Sequence, residues 1–178
     1  MRAPPLVERA SALAAELGFE KSCRPGDGAL LHVLAGRRTI ARAGEIGTGA
    51  GVGAAWIVSA LAPGIPFVTV EVDAARAAAA GRLFAGDADV RVLAGDWREL
   101  LPPEAPFDFL FVDATDAKDD VDAVLGLLAP SATVVLDDFS ADRPRPDERR
   151  DAWLDHPRLA AVELGTGGNA QVVVATYR

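Results

Sequence analysis

Apolar residues along this chain fall into short runs with two different spacings. Continuous runs rich in Val, Phe and Leu predict buried strands, whereas apolar residues at intervals of three and four predict helices. The pattern predicts strands at 42–46, 66–72, 88–93, 107–113 and 131–137, and helices at 5–18, 29–35, 52–62, 74–85, 97–101 and 117–128. Strands and helices that alternate in this way favour a parallel sheet with helices on both faces.

The C-terminal part of the chain departs from this alternation. After a helix near 146–155, the pattern predicts two strands at 158–164 and 170–177, joined by the glycine-rich segment 165–169. Because so short a loop can only join antiparallel strands, the last strand should run against its neighbours. We therefore predict a doubly wound α/β sheet of seven strands in a single domain, 1–178, with a helical segment at 1–35 and the core at 36–178.

Composition and charge narrow the classes of partner. Of 178 residues, 50% are hydrophobic, and the formal net charge is -8, which argues against a nucleic-acid-binding face. The densest basic cluster is interrupted by acidic residues and is interpreted as a solvated face: Arg143, Arg145, Arg149 and Arg150.

Two features bear on the compartment. The single cysteine, Cys23, cannot form an internal disulfide, which favours a reducing environment. The uncharged stretch 46–70 is divided by glycines and prolines into pieces too short to cross a bilayer. We expect a cytoplasmic protein that does not bind membranes.

A glycine-rich turn follows the first predicted strand. Residues 45–53 read Glu-Ile-Gly-Thr-Gly-Ala-Gly-Val-Gly, and 49–54 match the loose dinucleotide pattern G-x-G-x-x-A. Glycine lets the backbone turn tightly and approach a ligand closely. Glu71, about 20 residues further on, has the spacing of a carboxylate that binds ribose hydroxyls. NAD and other adenosine cofactors both fit this spacing, although Glu45 before the glycines should repel a pyrophosphate and attract a cation.

Acidic residues follow nearly every predicted parallel strand. In a doubly wound sheet these positions share the edge where ligands bind. Any one of them is equally compatible with a helix N-cap, but the whole set on one edge favours a ligand site. The set comprises Glu45, Glu71, Asp73, Asp96, Asp113, Asp137 and Asp138.

From about residue 36 onward, these segments resemble the class I S-adenosylmethionine-dependent methyltransferases, which have a Rossmann-like fold. Residues 45–49 look like the first motif, whose turn holds the methionine part of the cofactor, and residues 70–73 look like the second, with Glu71 on the ribose. Residues 95–97 are similar to the segment beside the adenine. The resemblance implies a cofactor site made of Glu45, Gly47, Thr48, Gly49, Gly53, Glu71, Val72, Gly95, Asp96, Trp97 and Asp113.

Within that class, the chain is most similar to the small O-methyltransferases of the catechol and caffeoyl-CoA type. That resemblance implies Mg²⁺ or Ca²⁺ on Asp113, Asp137 and Asp138, with Asp113 and Lys118 catalytic. Two positions depart from the pattern. Asp138 stands in place of Asn, and Asp116 in place of the lysine that follows the first ligand by three residues. Lys118, two residues further on, should reach the site only if its loop is rearranged, and Asp137 and Asp138 are equally compatible with caps and loop anchors.

These observations predict an S-adenosylmethionine-dependent methyltransferase that acts on a small molecule, at oxygen. Two alternatives remain at this point: an NAD-linked oxidoreductase, and a protein that binds S-adenosylmethionine without catalysis. The sequence identifies no acceptor and leaves the oligomeric state open, a homodimer being compatible with it.

Overall fold

The computed structural model describes residues 1–142 and 146–178 and contains one seven-stranded sheet, as predicted. The strand order is β3-β2-β1-β4-β5-β7-β6. The first five strands are parallel, and β7 runs antiparallel to both β5 and β6. The strands are β1 (Ala43–Ile46), β2 (Phe67–Glu71), β3 (Val90–Ala94), β4 (Phe107–Val112), β5 (Leu128–Ser140), β6 (Leu159–Gly167) and β7 (Ala170–Tyr177).

Helices cover both faces of the sheet and enclose a separate hydrophobic core on each. One core contains Leu31, Trp56 and Phe109, and the other contains Trp97 and Trp153. Within the described part of the chain, no helix has both the length and the apolar character needed to cross a membrane. The helices are α1 (Pro5–Glu16), α2 (Pro25–Ala35), α3 (Val52–Val58), α4 (Ala74–Phe84), α5 (Trp97–Leu100), α6 (Thr115–Lys118), α7 (Val121–Leu125) and α8 (Glu148–Leu154).

Two connections differ from the sequence-based prediction. The single helix expected at 117–128 is two helices, α6 and α7, because the Asp120 side chain accepts a hydrogen bond from the Ala123 N–H and starts a new helix. The C-terminal hairpin is tighter than expected, since Gly167 already pairs with Ala170. Of the predicted basic face, Arg143 and Arg145 lie outside the described residues.

Strand β5 is irregular at the point where it reaches the carboxyl edge of the sheet. Its register with β7 shifts between Leu136 and Phe139. Asp138, inside this bulge, has a φ of 61°, in the left-handed region that Asn and Asp enter more readily than most residues. The bulge turns two consecutive side chains, Asp137 and Asp138, toward the same group of carboxylates.

Candidate active site

A cavity of about 520 Å³ opens where β1, β2 and β4 end. This is the point at which the strand order reverses, and doubly wound sheets bind ligands there. Nine of the predicted site residues line the cavity: Gly47, Gly49, Glu71, Val72, Gly95, Asp96, Trp97, Asp113 and Asp138.

The glycine turn approaches its surroundings too closely for a side chain. Gly47 has a φ of +96°, and a Cβ there would lie 3.1 Å from the Asp113 backbone. Gly49 has a φ of +53°, and its Cβ would lie 2.8 Å from the Phe19 ring. Bare backbone therefore forms this wall of the cavity, as a closely bound ligand requires.

Glu71, at the end of β2, is buried and receives three hydrogen bonds. The Gly49 N–H donates to Oε2 at 2.8 Å, and the Asp73 N–H donates to Oε1 at 2.9 Å. The Arg76 guanidinium also donates to Oε1, at 2.8 Å. These donors fix the carboxylate on the cavity wall. Sequence reasoning missed Arg76, although an arginine in the first turn of the following helix was the available signal.

The segment after β3 forms the opposite side of the cavity. Trp97 is buried, its Nε1 donates to Asp116 Oδ2 at 2.9 Å, and the Arg98 guanidinium lies 4.5 Å from its ring centroid. Asp96 caps α5 by accepting from the Arg98 N–H at 2.8 Å. Val72 is 77% exposed, and such a high exposure is unusual for valine. Its apolar side chain therefore faces the opening of the cavity.

Three of the predicted cofactor residues do not line the cavity: Glu45, Thr48 and Gly53. Of these, Glu45 differs most from the prediction. Ile46 ends β1 on the cavity wall, so the preceding residue points to the opposite face of the sheet, beneath α3. There the Glu45 carboxylate accepts from the Thr69 hydroxyl at 2.6 Å and from the Ala54 N–H. The Glu45 side chain therefore lies outside the cavity, on the other face of the sheet.

The other two residues support this buried arrangement. The Thr48 hydroxyl lies 2.6 Å from the Thr69 hydroxyl, which itself donates to Glu45. A Cβ on Gly53 would lie 2.5 Å from Glu45 Oε1. Thr48 and Gly53 thus make room for the carboxylate and hold it through Thr69, without contacting the cavity.

Lys118 lies among the three aspartates, a position expected from the sequence only if its loop is rearranged. Its side chain is 4% exposed. Its Nζ donates to Asp137 Oδ1 at 2.8 Å and lies 3.8 Å from Asp113 Oδ1 and 3.7 Å from Asp138 Oδ2. The earlier start of α6 accounts for this, because it turns Lys118 back toward the sheet.

Burial dominates the electrostatics of this group. It raises the pKa of Asp113 well above its usual range, and the neighbouring Asp137 charge raises it further. Burial likewise raises the pKa of Asp137, although Lys118 opposes the shift. The carboxylates of Asp113, Asp137 and Asp138 lie close enough for their charges to repel one another, which favours the neutral form of Asp113.

The three aspartates have the chemistry of a metal site, but Lys118 conflicts with it. One carboxylate oxygen from each lies within 4.8 Å of the others, and hard cations prefer such oxygens. However, an ammonium already approaches all three carboxylates and bonds the most buried one. While Lys118 keeps this position, the group does not fit a divalent ion.

The N-terminal segment also reaches the cavity, which the sequence did not indicate. Phe19 and Lys21, between α1 and α2, line it. Nearby Cys23 is buried, and burial raises the pKa of its thiol well above the ordinary value. Cys23 is therefore a packing residue and not an activated nucleophile.

Comparisons with known proteins agree on one class. A family model described as "Methyltransferase domain" matches residues 45–139. A curated protein of Mycobacteroides abscessus, whose name places it among the O-methyltransferases, is 32% identical over 129 residues. That match covers 66% of this chain and 58% of the relative, so it spans less than two thirds of the relative's length.

Solved structures extend the similarity to almost the whole chain. The O-methyltransferase TomG from Streptomyces achromogenes, solved in complex with SAM, is 27% identical with a TM-score of 0.82, covering 99% of this chain and 91% of that one. Cofactor-bound Rv0187 from MTB is 25% identical with a TM-score of 0.83, covering 98% and 90%.

Proposed function

The chain belongs to the methyltransferase domain family, and from this premise we propose that it is an S-adenosylmethionine-dependent methyltransferase that acts on an oxygen of a small molecule. The observation that carries the proposal is the placement of the Glu71 carboxylate on the wall of the cavity, beside the bare backbone of Gly47 and Gly49. Family membership does not favour the alternative of an NAD-linked oxidoreductase.

The cavity wall offers suitable groups for each part of this cofactor. The turn at Gly47 and Gly49 presents backbone without side chains to the cavity, which allows the methionine portion to approach closely. Glu71 would accept hydrogen bonds from ribose hydroxyls, since each carboxylate oxygen takes more than one donor. Val72 and Trp97 would border the adenine, with Asp96 as a hydrogen-bond acceptor at its edge.

The molecule that accepts the methyl group would bind at the end of the cavity that Asp113 and Asp138 line. When bound, S-adenosylmethionine supplies an electrophilic methyl group on a sulfonium. Asp113 and Asp138 line the same cavity, and either carboxylate would orient an acceptor hydroxyl by accepting its hydrogen bond. As the hydroxyl oxygen reacts, its proton would pass to the carboxylate that holds this hydrogen bond. Lys118 does not line the cavity and would act through these carboxylates.

Replacing Glu71 with alanine tests the cofactor assignment. Loss of a charged hydrogen-bond acceptor costs about 1.5–3 kcal/mol, so we expect the Kd for S-adenosylhomocysteine to rise by about 10-fold to 100-fold. Isothermal titration calorimetry with S-adenosylmethionine and S-adenosylhomocysteine measures this directly. Glu99→Ala removes an exposed carboxylate that does not line the cavity, and should leave the affinity unchanged.

Three results of these titrations would contradict the proposal or part of it. No binding of either ligand to the unaltered protein at about millimolar concentration would reject the function as a whole. Unchanged affinity in Glu71→Ala would reject only the ribose assignment. Binding without methyl transfer to phenols or other hydroxyl compounds would favour the alternative of a binding protein without catalysis.

A further inference from the structure

The chain has two lysines, Lys21 and Lys118, and the second is buried beside three carboxylates. Buried lysines are rare unless they are paired, so this position calls for an explanation. The Lys118 ammonium has three donors and no acceptor, and it lies within 4 Å of oxygens from Asp113, Asp137 and Asp138. It therefore approaches every group that would ligate a divalent ion.

We propose that Lys118 is the resident cation of this acidic cluster and that the acceptor site works without a divalent metal ion. The catalytic consequence rests on the proposed methyltransferase function, but the cation assignment does not. The cation assignment concerns only which positive group lies among the three carboxylates.

The distances between the three carboxylates and Lys118 fit an ammonium at this position better than they fit a divalent metal ion. Mg²⁺ requires oxygens at about 2.0–2.1 Å and usually keeps several waters, while Ca²⁺ requires six to eight oxygens at about 2.3–2.6 Å. The anchoring carboxylate would be Asp137, whose side chain is 4% exposed. Its Oδ1 already accepts a hydrogen bond from Lys118 Nζ at 2.8 Å. A divalent ion at this carboxylate would displace that bond and meet a like charge a few ångströms away.

The backbone holds Lys118 in place from the side opposite the cluster. Lys118 is the last residue of α6, and its N–H donates to the Ala114 carbonyl at 3.1 Å. Its own carbonyl accepts from the indole Nε1 of the buried Trp153 at 2.9 Å. These bonds fix the Lys118 backbone beside the cluster, so its side chain reaches the carboxylates without any movement of the chain.

This arrangement changes the class of acceptor that the site would take. A metal ion selects molecules with two neighbouring oxygens, because both can ligate it. Carboxylates at Asp113 and Asp138 instead accept a hydrogen bond from a single hydroxyl. Compounds with one hydroxyl should therefore be methylated as well as catechols, and methyl transfer should persist in EDTA.

Binding of Mn²⁺ to the intact protein tests the cation assignment without any need for an acceptor. In a titration followed by the electron paramagnetic resonance of free Mn²⁺, we expect the unaltered protein to show no specific binding tighter than about 1 mM. Lys118→Ser removes the ammonium and opens space, so its affinity for Mn²⁺ should be at least about 10-fold tighter. Lys21→Ser removes the chain's other lysine, which is exposed, and as the matched control it should behave like the unaltered protein.

Each result bears on the proposal. Micromolar Mn²⁺ binding to the unaltered protein that disappears in Asp137→Asn would overturn it, and this measurement remains decisive if Lys118→Ser fails to fold. A folded Lys118→Ser variant that gains no Mn²⁺ affinity would overturn it as well. Calorimetry with S-adenosylhomocysteine, run on the same samples, separates this outcome from failure of the proposed function.

Discussion

Replacing Glu45 with glutamine should make the protein more stable at pH 8 and leave its stability near pH 5 almost unchanged. Burial beneath α3 raises the pKa of Glu45 from 4.5 to about 8, and the charges of Asp137 and Glu71 act in the same direction. The hydrogen bonds from Thr69 and Ala54 oppose this shift without cancelling it. The native protein therefore holds a proton on Glu45 at neutral pH.

The sign of the effect follows from proton binding in the two states. Between about pH 4.5 and 8 the unfolded chain releases the Glu45 proton and the native state retains it, so the free energy of unfolding falls as pH rises. The difference between the unaltered protein and Glu45→Gln should therefore change by about 4 kcal/mol between about pH 5 and 8. Glutamine keeps an acceptor for Thr69 and Ala54 but cannot ionise.

Urea unfolding of both proteins at several pH values measures this difference. Asp113 and Asp137 also have raised pKa values and give both proteins a shared residual slope, so the comparison between the two curves is the relevant quantity. Glu99→Gln, at an exposed position, should keep the slope of the unaltered protein. Parallel curves for Glu45→Gln and the unaltered protein would contradict the burial of this carboxylate.

Most of the sheet was predictable, because each strand spans several residues that follow the same hydrophobic pattern. The strands β4 and β5 contain continuous apolar runs, and glycines or acidic residues follow the parallel strands, so several residues indicate each of these elements. The reversed last strand followed from the short glycine-rich loop alone. Glu71 lies on the cavity wall as the sequence predicts, because the end of β2 and the spacing from the glycine turn indicate the same residue.

The directions of the Glu45 and Lys118 side chains were harder to predict, because a shift of one or two residues in a strand or helix boundary changes where each side chain points. Glu45 lies one residue before the end of β1, and one residue is enough to move a side chain to the other face. Lys118 depended on where α6 begins. A helix starting at 115 directs this side chain toward Asp137, whereas the predicted start at 117 gave no basis for that contact. Boundaries of this kind are set by tertiary packing.

Replacing Trp153 with alanine should strongly destabilise the protein, because α8 packs through this residue. Trp153 is fully buried in the core beneath α8, and its indole N–H is the donor to the Lys118 carbonyl. Removing a buried tryptophan side chain costs about 3–5 kcal/mol from lost burial and the cavity that remains. Urea unfolding at neutral pH should show this loss as a lower midpoint with a similar slope.

Trp153→Phe separates the packing from the hydrogen bond. Phenylalanine retains most of the apolar contact but leaves the Lys118 carbonyl without its donor, so we expect a smaller loss of about 1–2 kcal/mol. If Phe and Ala destabilise the protein equally, the hydrogen bond to Lys118 and not the packing would dominate. If Ala costs less than about 1 kcal/mol, α8 would not support the core in solution as the structure indicates.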